Sequence, residues 1–532
     1  MTHPWDKENG NPLFESERIL MITRSNILNG ASRQISLAGL ATLLLAGFCF
    51  GQQLYQLSPS VPTETVSPTT GPPTGSVVVS GSGFTPYAAI DIYFDLTDEA
   101  LALANGSGAF SNISISTPAS ALPGDHWISA VQRSGSTGAQ KQFLVRVNWF
   151  EFGFLPTGRH VNPWENVLNT DNAVGIDRVW NYKTGNIVTS SPAVRDGLVY
   201  VGSADGKVYA LNATTGARVW SYTTGGFVQS SPAEANGLVY VGSNDFNVYA
   251  LNASTGAKVW NYTTGGNVSS SPAVANGVVY VGSEDDNVYA LNASTGALVW
   301  SYTTGGAVDC SPAVANGVVY VGSNDFNFYA LNATTGAKLW NYTGNDNVFP
   351  SPALANGRVY VGYENGNLYA LNASTGESLW SYSTGVTLES SPAVADGKVY
   401  VGSANSNVYA LNASTGAMLW SYTTGNDVTS SPAVANGVVY IGSEDGNLYA
   451  LNASTGAYLW SYITGDAVDS SPAVANGMVY VGSGDGNVYA FGATNDLRAQ
   501  QLSGRLDMRT LHPNLTLKPS QPVANLASKN SD

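Results

Sequence analysis

The sequence predicts an all-β chain. Its main body is an eight-bladed β-propeller of 40-residue, four-stranded blades, closed by an N-terminal outer strand and preceded by a small β-sandwich. Three observations predict it. Trp180, Trp220, Trp260, Trp300, Trp340, Trp380, Trp420 and Trp460 recur at a spacing of 40. A Ser-Pro or Pro-Ser-Pro step recurs in the same phase, at Pro192, Pro232, Pro272, Pro312, Pro352, Pro392, Pro432 and Pro472. The two ends of the array are offset by one strand, as a closed ring requires.

The unit from Ser271 to Cys310 shows the pattern: SPAVANGVVYVGSEDDNVYALNASTGALVWSYTTGGAVDC. Ser-Pro-Ala-Val-Ala is a first strand. Asn276-Gly277 is a hairpin turn. Val-Val-Tyr-Val-Gly, β-branched and aromatic, is a second strand. A tight turn at Glu284 to Asn287 leads to Val-Tyr-Ala-Leu. The Asn-Ala-Ser-Thr-Gly turn then leads to the fourth strand, which carries the tryptophan. The Asn of that turn (Asn212, Asn252, Asn292, Asn332, Asn372, Asn412, Asn452) matches a glycosylation acceptor and also suits backbone capping in the turn, which is the role preferred. Trp180 precedes every first strand, and Gln500 stands where the last unit needs its tryptophan. The strand around Asp177 to Tyr182 therefore completes the final blade and removes the exposed sheet edges.

Residues 1–51 hold a polar extension and the apolar run Ile35 to Phe50, preceded by Arg24 and Arg33. That run is short for a spanning helix and suits a signal-peptide core or a retained anchor. Either implies an exported protein at the cell surface, in the periplasm or outside the cell. Residues 52–76 are rich in Pro, Ser and Thr and read as an extended linker. Residues 77–147 alternate in short strands between turns such as Asn105-Gly106 and Pro123-Gly124, the pattern of a β-sandwich. Residues 148–176, with Trp149, Phe150, Phe152, His160 and Trp164, form a connector; 177–493 are the propeller; 494–532 are a polar tail expected to be disordered.

Two family resemblances follow from particular residues. Ala210-Leu211-Asn212-Ala213-Thr214-Thr215-Gly216-Ala217-Arg218-Val219-Trp220 resembles the tryptophan-docking motif of PQQ-like (quinoprotein-type) repeats, with Asn where that motif has Asp. The resemblance implies that each tryptophan locks adjacent blades. It also implies that the connector is a lead-in packed beside the first blade. PQQ-dependent dehydrogenases share the motif with non-catalytic propellers of outer-membrane β-barrel assembly. For the enzymes it implies PQQ and calcium, with a carboxylate and an amide at the calcium, a catalytic Asp, a cation at the quinone and often adjacent cysteines. Gly81-Ser82-Gly83-Phe84-Thr85-Pro86 and Ala121-Leu122-Pro123-Gly124-Asp125-His126 resemble immunoglobulin-like modules of bacterial surface proteins.

Chemistry is harder to find. The net charge is −15, which argues against a nucleic-acid partner. The four histidines, His3, His126, His160 and His512, lie outside the blades in sequence, and the two cysteines, Cys49 and Cys310, are far apart. There is no phosphate loop, nucleophile elbow or zinc pattern. What varies is two columns. Just before the inner strand stand Thr189, Gln229, Ser269, Asp309, Phe349, Glu389, Thr429 and Asp469. Asp309, Glu389 and Asp469 are either an acidic arc able to hold a cation such as calcium or a solvated polar rim. In the turn between strands two and three, Phe246 and Phe326 replace small residues and are either partner anchors or ordinary surface scatter. The reading reached is a non-catalytic platform for protein or glycan binding at the cell envelope. The alternatives are a PQQ- and calcium-dependent oxidoreductase and a structural envelope spacer.

Overall fold

The structure is a computed structural model that describes residues 62–135 and 137–493. The expected signal or anchor segment and the polar tail lie outside the described residues. Among those described, the structure is built from strands, with one 3-10 turn at Ala173–Gly175. No helix among them is long and apolar enough to cross a membrane.

From residue 193 onward, strands of three, five or six, and six residues follow one another in antiparallel order. Ala233–Ala235, Leu238–Gly242, Asn247–Asn252 and Lys258–Thr263 make one such sheet. Seven sheets of this kind run consecutively, the seventh with an extra short strand, Val161–Asn162. An eighth is made of Ala473–Ala475, Met478–Gly482 and Asn487–Ala493, completed by Ile176–Lys183 from the start of the array. We number the blades by their inner strands, from Ala193–Arg195 to Ala473–Ala475. The second strands are buried at nearly every position, and the third strands along their Val-Tyr-Ala-Leu centres, because side chains on both faces pack against neighbouring sheets. The positive φ that each Asn-Gly or Asp-Gly turn demands is taken at both residues, as at Asn276 (φ 51°) and Gly277 (φ 77°).

Two sets of bonds join one blade to the next. The tryptophan of a fourth strand donates its indole N–H to an alanine carbonyl in the next blade, as Trp220 does to Ala253 at 2.8 Å. Six further tryptophans, Trp180, Trp260, Trp300, Trp340, Trp380 and Trp420, do the same at 2.9–3.2 Å. Each ring lies over a glycine: a Cβ on Gly256 would sit 2.6 Å from the Trp220 ring, and its φ of 71° disfavours any other residue. Trp460 differs. It packs edge-on against Phe491 at 5.3 Å and beside Tyr462 at 6.3 Å. In sequence, Asp496 occupies the position that glycine holds in the docking turns of the other units. The hydroxyl of Tyr440, whose counterparts bond the same alanine carbonyl, is buried there with no partner among the described residues.

The second set is a ring of serines. The amide of Ser191 donates to the hydroxyl of Ser231 at 2.9 Å. The pattern repeats through Ser271, Ser311, Ser351, Ser391, Ser431 and Ser471, and the amide of Ser471 donates to Ser191 at 2.9 Å. The circle is closed at the innermost position of every blade.

The N-terminal part has two sheets around one core. Thr63–Ser67, Ser76–Ser82 and Phe110–Ser116 form one sheet; Thr70–Gly71, Gly138–Val145, Gly124–Gln132, Ala89–Phe94 and Thr97–Leu103 form the other. Val66, Val79 and Ile115 from the first meet Ile92, Ile128 and Phe143 from the second. The linker expected over residues 52–76 is corrected here. From Thr63 it is strand, because Val66 is buried in the core and pairs with Val79. The Val147 amide donates to Asn476 Oδ1 at 2.7 Å, and the Asn166 amide group donates to the Ala121 carbonyl at 2.8 Å, tying this part to the propeller.

The two kinds of joint make a testable contrast. Trp220→Ala removes a docked, buried indole and should cost about 3–5 kcal/mol. Trp460→Ala should lower the unfolding temperature clearly less. Equal losses in a thermal melt would mean that the docking bond contributes little.

Candidate functional site: a stoppered polar cup

The connector is not a lead-in beside the first blade. It threads the central channel and meets every inner strand in turn. Trp149 exchanges both backbone bonds with Val194 at 2.6–2.7 Å. The amides of Glu234, Val314, Leu354, Val394 and Val434 then donate to the carbonyls of Phe150, Pro156, Thr157, Arg159 and His160. Where the backbone cannot reach, side chains do: the Val274 amide donates to Glu151 Oε2 at 3.1 Å, and Asn162 Nδ2 donates to the Val474 carbonyl at 2.7 Å. The tight path explains the left-handed backbone at Gly153, Phe154, Gly158 and His160, with φ from 52° to 79°. Gly158 passes so close to the Pro352 carbonyl that a Cβ would lie 2.3 Å from it. Residues 149–162 are therefore a stopper, and one of the histidines outside the blades in sequence, His160, is inside the ring in space.

The stopper leaves a blind cup of about 420 Å³ at the opposite end of the channel. Phe152 contributes to its base. Its wall carries the ring serines, including Ser191, Ser231 and Ser311, and above them the variable column Thr189, Gln229, Ser269, Asp309, Phe349, Glu389, Thr429 and Asp469. Glu284 joins from the neighbouring turn. The wall thus holds four carboxylates and no lysine, arginine or histidine.

Asp309, Glu389 and Asp469 do share this cup. They are not gathered around one ion, because they stand on alternate blades, the fourth, sixth and eighth. Asp309 accepts bonds from Ser269 Oγ at 3.0 Å and Asn324 Nδ2 at 2.9 Å, and Asp469 accepts one from Thr429 Oγ1 at 3.1 Å. Among the described residues, no three His, Cys, Asp or Glu side chains form a group able to hold a metal ion. Burial raises the Glu389 carboxyl above its ordinary range, and Glu364, Asp469 and Asp427 add to this. Asp469 is raised by burial and by Asp466, against the Thr429 bond.

Phe246 and Phe326 do not line the cup. They stand on exposed turns, 45% and 44% accessible, with φ of 72° and 70°. The equivalent residue is glycine at Gly206, Gly366, Gly446 and Gly486. A bulky side chain in this region costs about 1–3 kcal/mol. Two aromatic residues missed as site residues line the cup itself: Phe152 of the stopper and Phe349 of the fifth blade. Phe349 belongs to a coupled change. In that unit Tyr363 replaces the serine seen at Ser323 and Ser403, and its ring fills the space over Gly344, where a Cβ would lie 2.1 Å away. Pro350 replaces another serine. This concentration of changes in one unit was the available signal for asymmetry.

The asparagines of the Asn-Ala-Ser/Thr turns cap them: Asn252 Oδ1 accepts the amides of Ser254 and Thr255 at 3.1 and 2.9 Å, and the other copies repeat this.

Residues 164–271, 244–386, 344–430 and 404–500 match the family described as outer membrane protein assembly factor BamB. Among solved structures, a europium-containing methanol dehydrogenase aligns with a TM-score of 0.58 at 16% identity, over 65% of this chain and 98% of that one. Quinohemoprotein alcohol dehydrogenase from Comamonas testosteroni aligns with 0.59 at 18%, over 65% and 80%. BamB from Moraxella catarrhalis aligns with 0.52 at 21%, over 60% and 99%. At these identities the likeness concerns the fold, a multi-bladed β-propeller. No curated protein sequence matches the chain.

The acid-rich cup predicts a direction of pH dependence. Burial and like charges raise the Glu389 carboxyl in the folded state, so the folded chain binds its proton more tightly than the unfolded chain. The penalty is full above the folded pKa and vanishes below the unfolded value of about 4.3. Glu389→Gln should raise the unfolding temperature at pH 8, and the gain should fade by pH 3. A gain that grows on acidification would contradict this electrostatic account.

Proposed function

We propose, from the premise that the chain belongs to the PQQ-like repeat family described as outer membrane protein assembly factor BamB, that it is an exported, non-catalytic platform for protein or glycan binding at the cell envelope. The observation that carries this reading is the cup wall. It offers carboxylates, hydroxyls and two aromatic rings, and no basic side chain. Such a surface suits hydroxyl-rich or cationic groups of a ligand. Phe246 and Phe326 support a partner surface on the exposed turns, because aromatic rings held there at positive φ keep 45% and 44% of their surface accessible. The N-terminal β-sandwich, which resembles immunoglobulin-like modules, would act as the spacer between this platform and the membrane.

The oxidoreductase reading meets a misfit in the same wall. PQQ is a quinone that carries carboxylates, and four carboxylates without a cation would repel it. Calcium would need several oxygen ligands converging on one point, which the alternate-blade acids do not supply. The spacer reading explains the near-identity of the units and leaves the two strained phenylalanines without a role.

Two measurements test the proposal. Calorimetric titration of the chain with PQQ, with and without calcium, should give no saturable heat. Saturable, calcium-dependent binding would restore the dehydrogenase reading. Envelope protein and glycan fractions should be retained by the parent chain and lost from the Phe246→Gly, Phe326→Gly double variant. That variant should melt no lower than the parent, because glycine relieves the positive φ. Equal retention by both would remove the phenylalanines as anchors.

A further inference from the structure

Beneath Phe152 lies a second, much smaller chamber, about 10 Å³, which is room for one water molecule. It is lined by Glu151, Phe152 and His160 of the stopper and by the start of the third, fourth and fifth inner strands, at Pro272, Pro312 and Pro352. Two buried polar atoms of these lining residues lack a hydrogen-bond partner, Glu151 Oε1 and His160 Nδ1. Both side chains are well over nine-tenths buried: Glu151 is 4% accessible and His160 1%. The other carboxyl oxygen of Glu151 is committed to the Val274 amide, so the side chain is fixed in place. His160 is fixed too, by its φ of 52°, its backbone bonds to Gly153 and Val434, and the edge of its ring against Phe152 at 4.7 Å.

Leaving two such atoms unsatisfied in a buried site is costly, because each gives up its hydration without a replacement bond. Buried waters are found where otherwise unsatisfied polar groups share a space of this size. We propose that the chamber is a water-binding site, in which one water molecule bridges Glu151 Oε1 and His160 Nδ1 and completes the seating of the stopper. The protonation states agree. Burial pushes the Glu151 carboxyl up to about 8 against the pull of the Val274 amide, and pushes the His160 imidazole down to about 3. Near neutral pH both groups are uncharged. The carboxyl O–H then donates to the water, and the water donates to Nδ1. Phe152 separates this water from the cup, so it belongs to the stopper and not to the ligand site.

A crystal structure of the full chain at a resolution that shows ordered water decides the matter. One water within about 2.7–3.2 Å of both atoms is expected. An empty chamber, or a direct bond between Glu151 and His160, would overturn the proposal. Thermal melts give a second test in solution. Glu151→Leu and His160→Phe should each lower the unfolding temperature by several degrees. Their double variant should lose clearly less than the sum, because both singles remove the same bridge. Strictly additive losses would overturn the bridge.

Discussion

A backbone amide given to the next blade's serine hydroxyl is the interaction on which this ring depends. At the channel wall the inner strands are only three residues long, too short to hold neighbouring sheets together by their own ladders. The serine bond makes each blade both donor and acceptor at the point where all eight converge. It also shapes the cavity. The same hydroxyls form the lower wall of the cup, so the residues that close the ring also give the channel its polar lining.

The outer joints work differently. Seven indoles reach across to a neighbour's carbonyl and lie on a glycine that has no Cβ to obstruct them. At the eighth joint, among the described residues, Trp460 packs against Phe491, Tyr462 and the connector. The connector compensates there. Val161–Asn162 pairs with the seventh inner strand, and Glu165, which accepts the amides of Val167 and Leu168 within the connector, also accepts that of Gly477 in the eighth blade.

The sequence made the propeller legible because its code is periodic. Tryptophan, glycine, proline and the Asn-Gly turns each recur in one phase, and each has a local steric reason to do so. The acidic column was also legible, since a position that varies within a repeat stands out; Asp309, Glu389 and Asp469 do line one cavity. Their failure to converge on an ion was not legible. It depends on ring radius, which no residue encodes by itself. The stopper was hidden for another reason. Its bonds join an irregular backbone to single residues drawn from eight separate strands, from Val194 to Val474, and leave no periodic trace. The strand at Thr63–Ser67 was masked by composition, because its Thr and Ser residues resemble those of the adjoining Pro-rich stretch.

The stopper has a bearing on how such an array can change. Nearly identical tandem units invite unequal recombination, which would add or delete a blade at little cost to any single joint. The segment from Trp149 to Asn162 bonds to each inner strand in order, from Val194 to Val474. A ring with one blade fewer would strand a donor or acceptor inside the channel, and a ring with one more would leave an inner strand unmet. The stopper is therefore a gauge, fourteen residues long from 149 to 162, against which the number of repeats is counted.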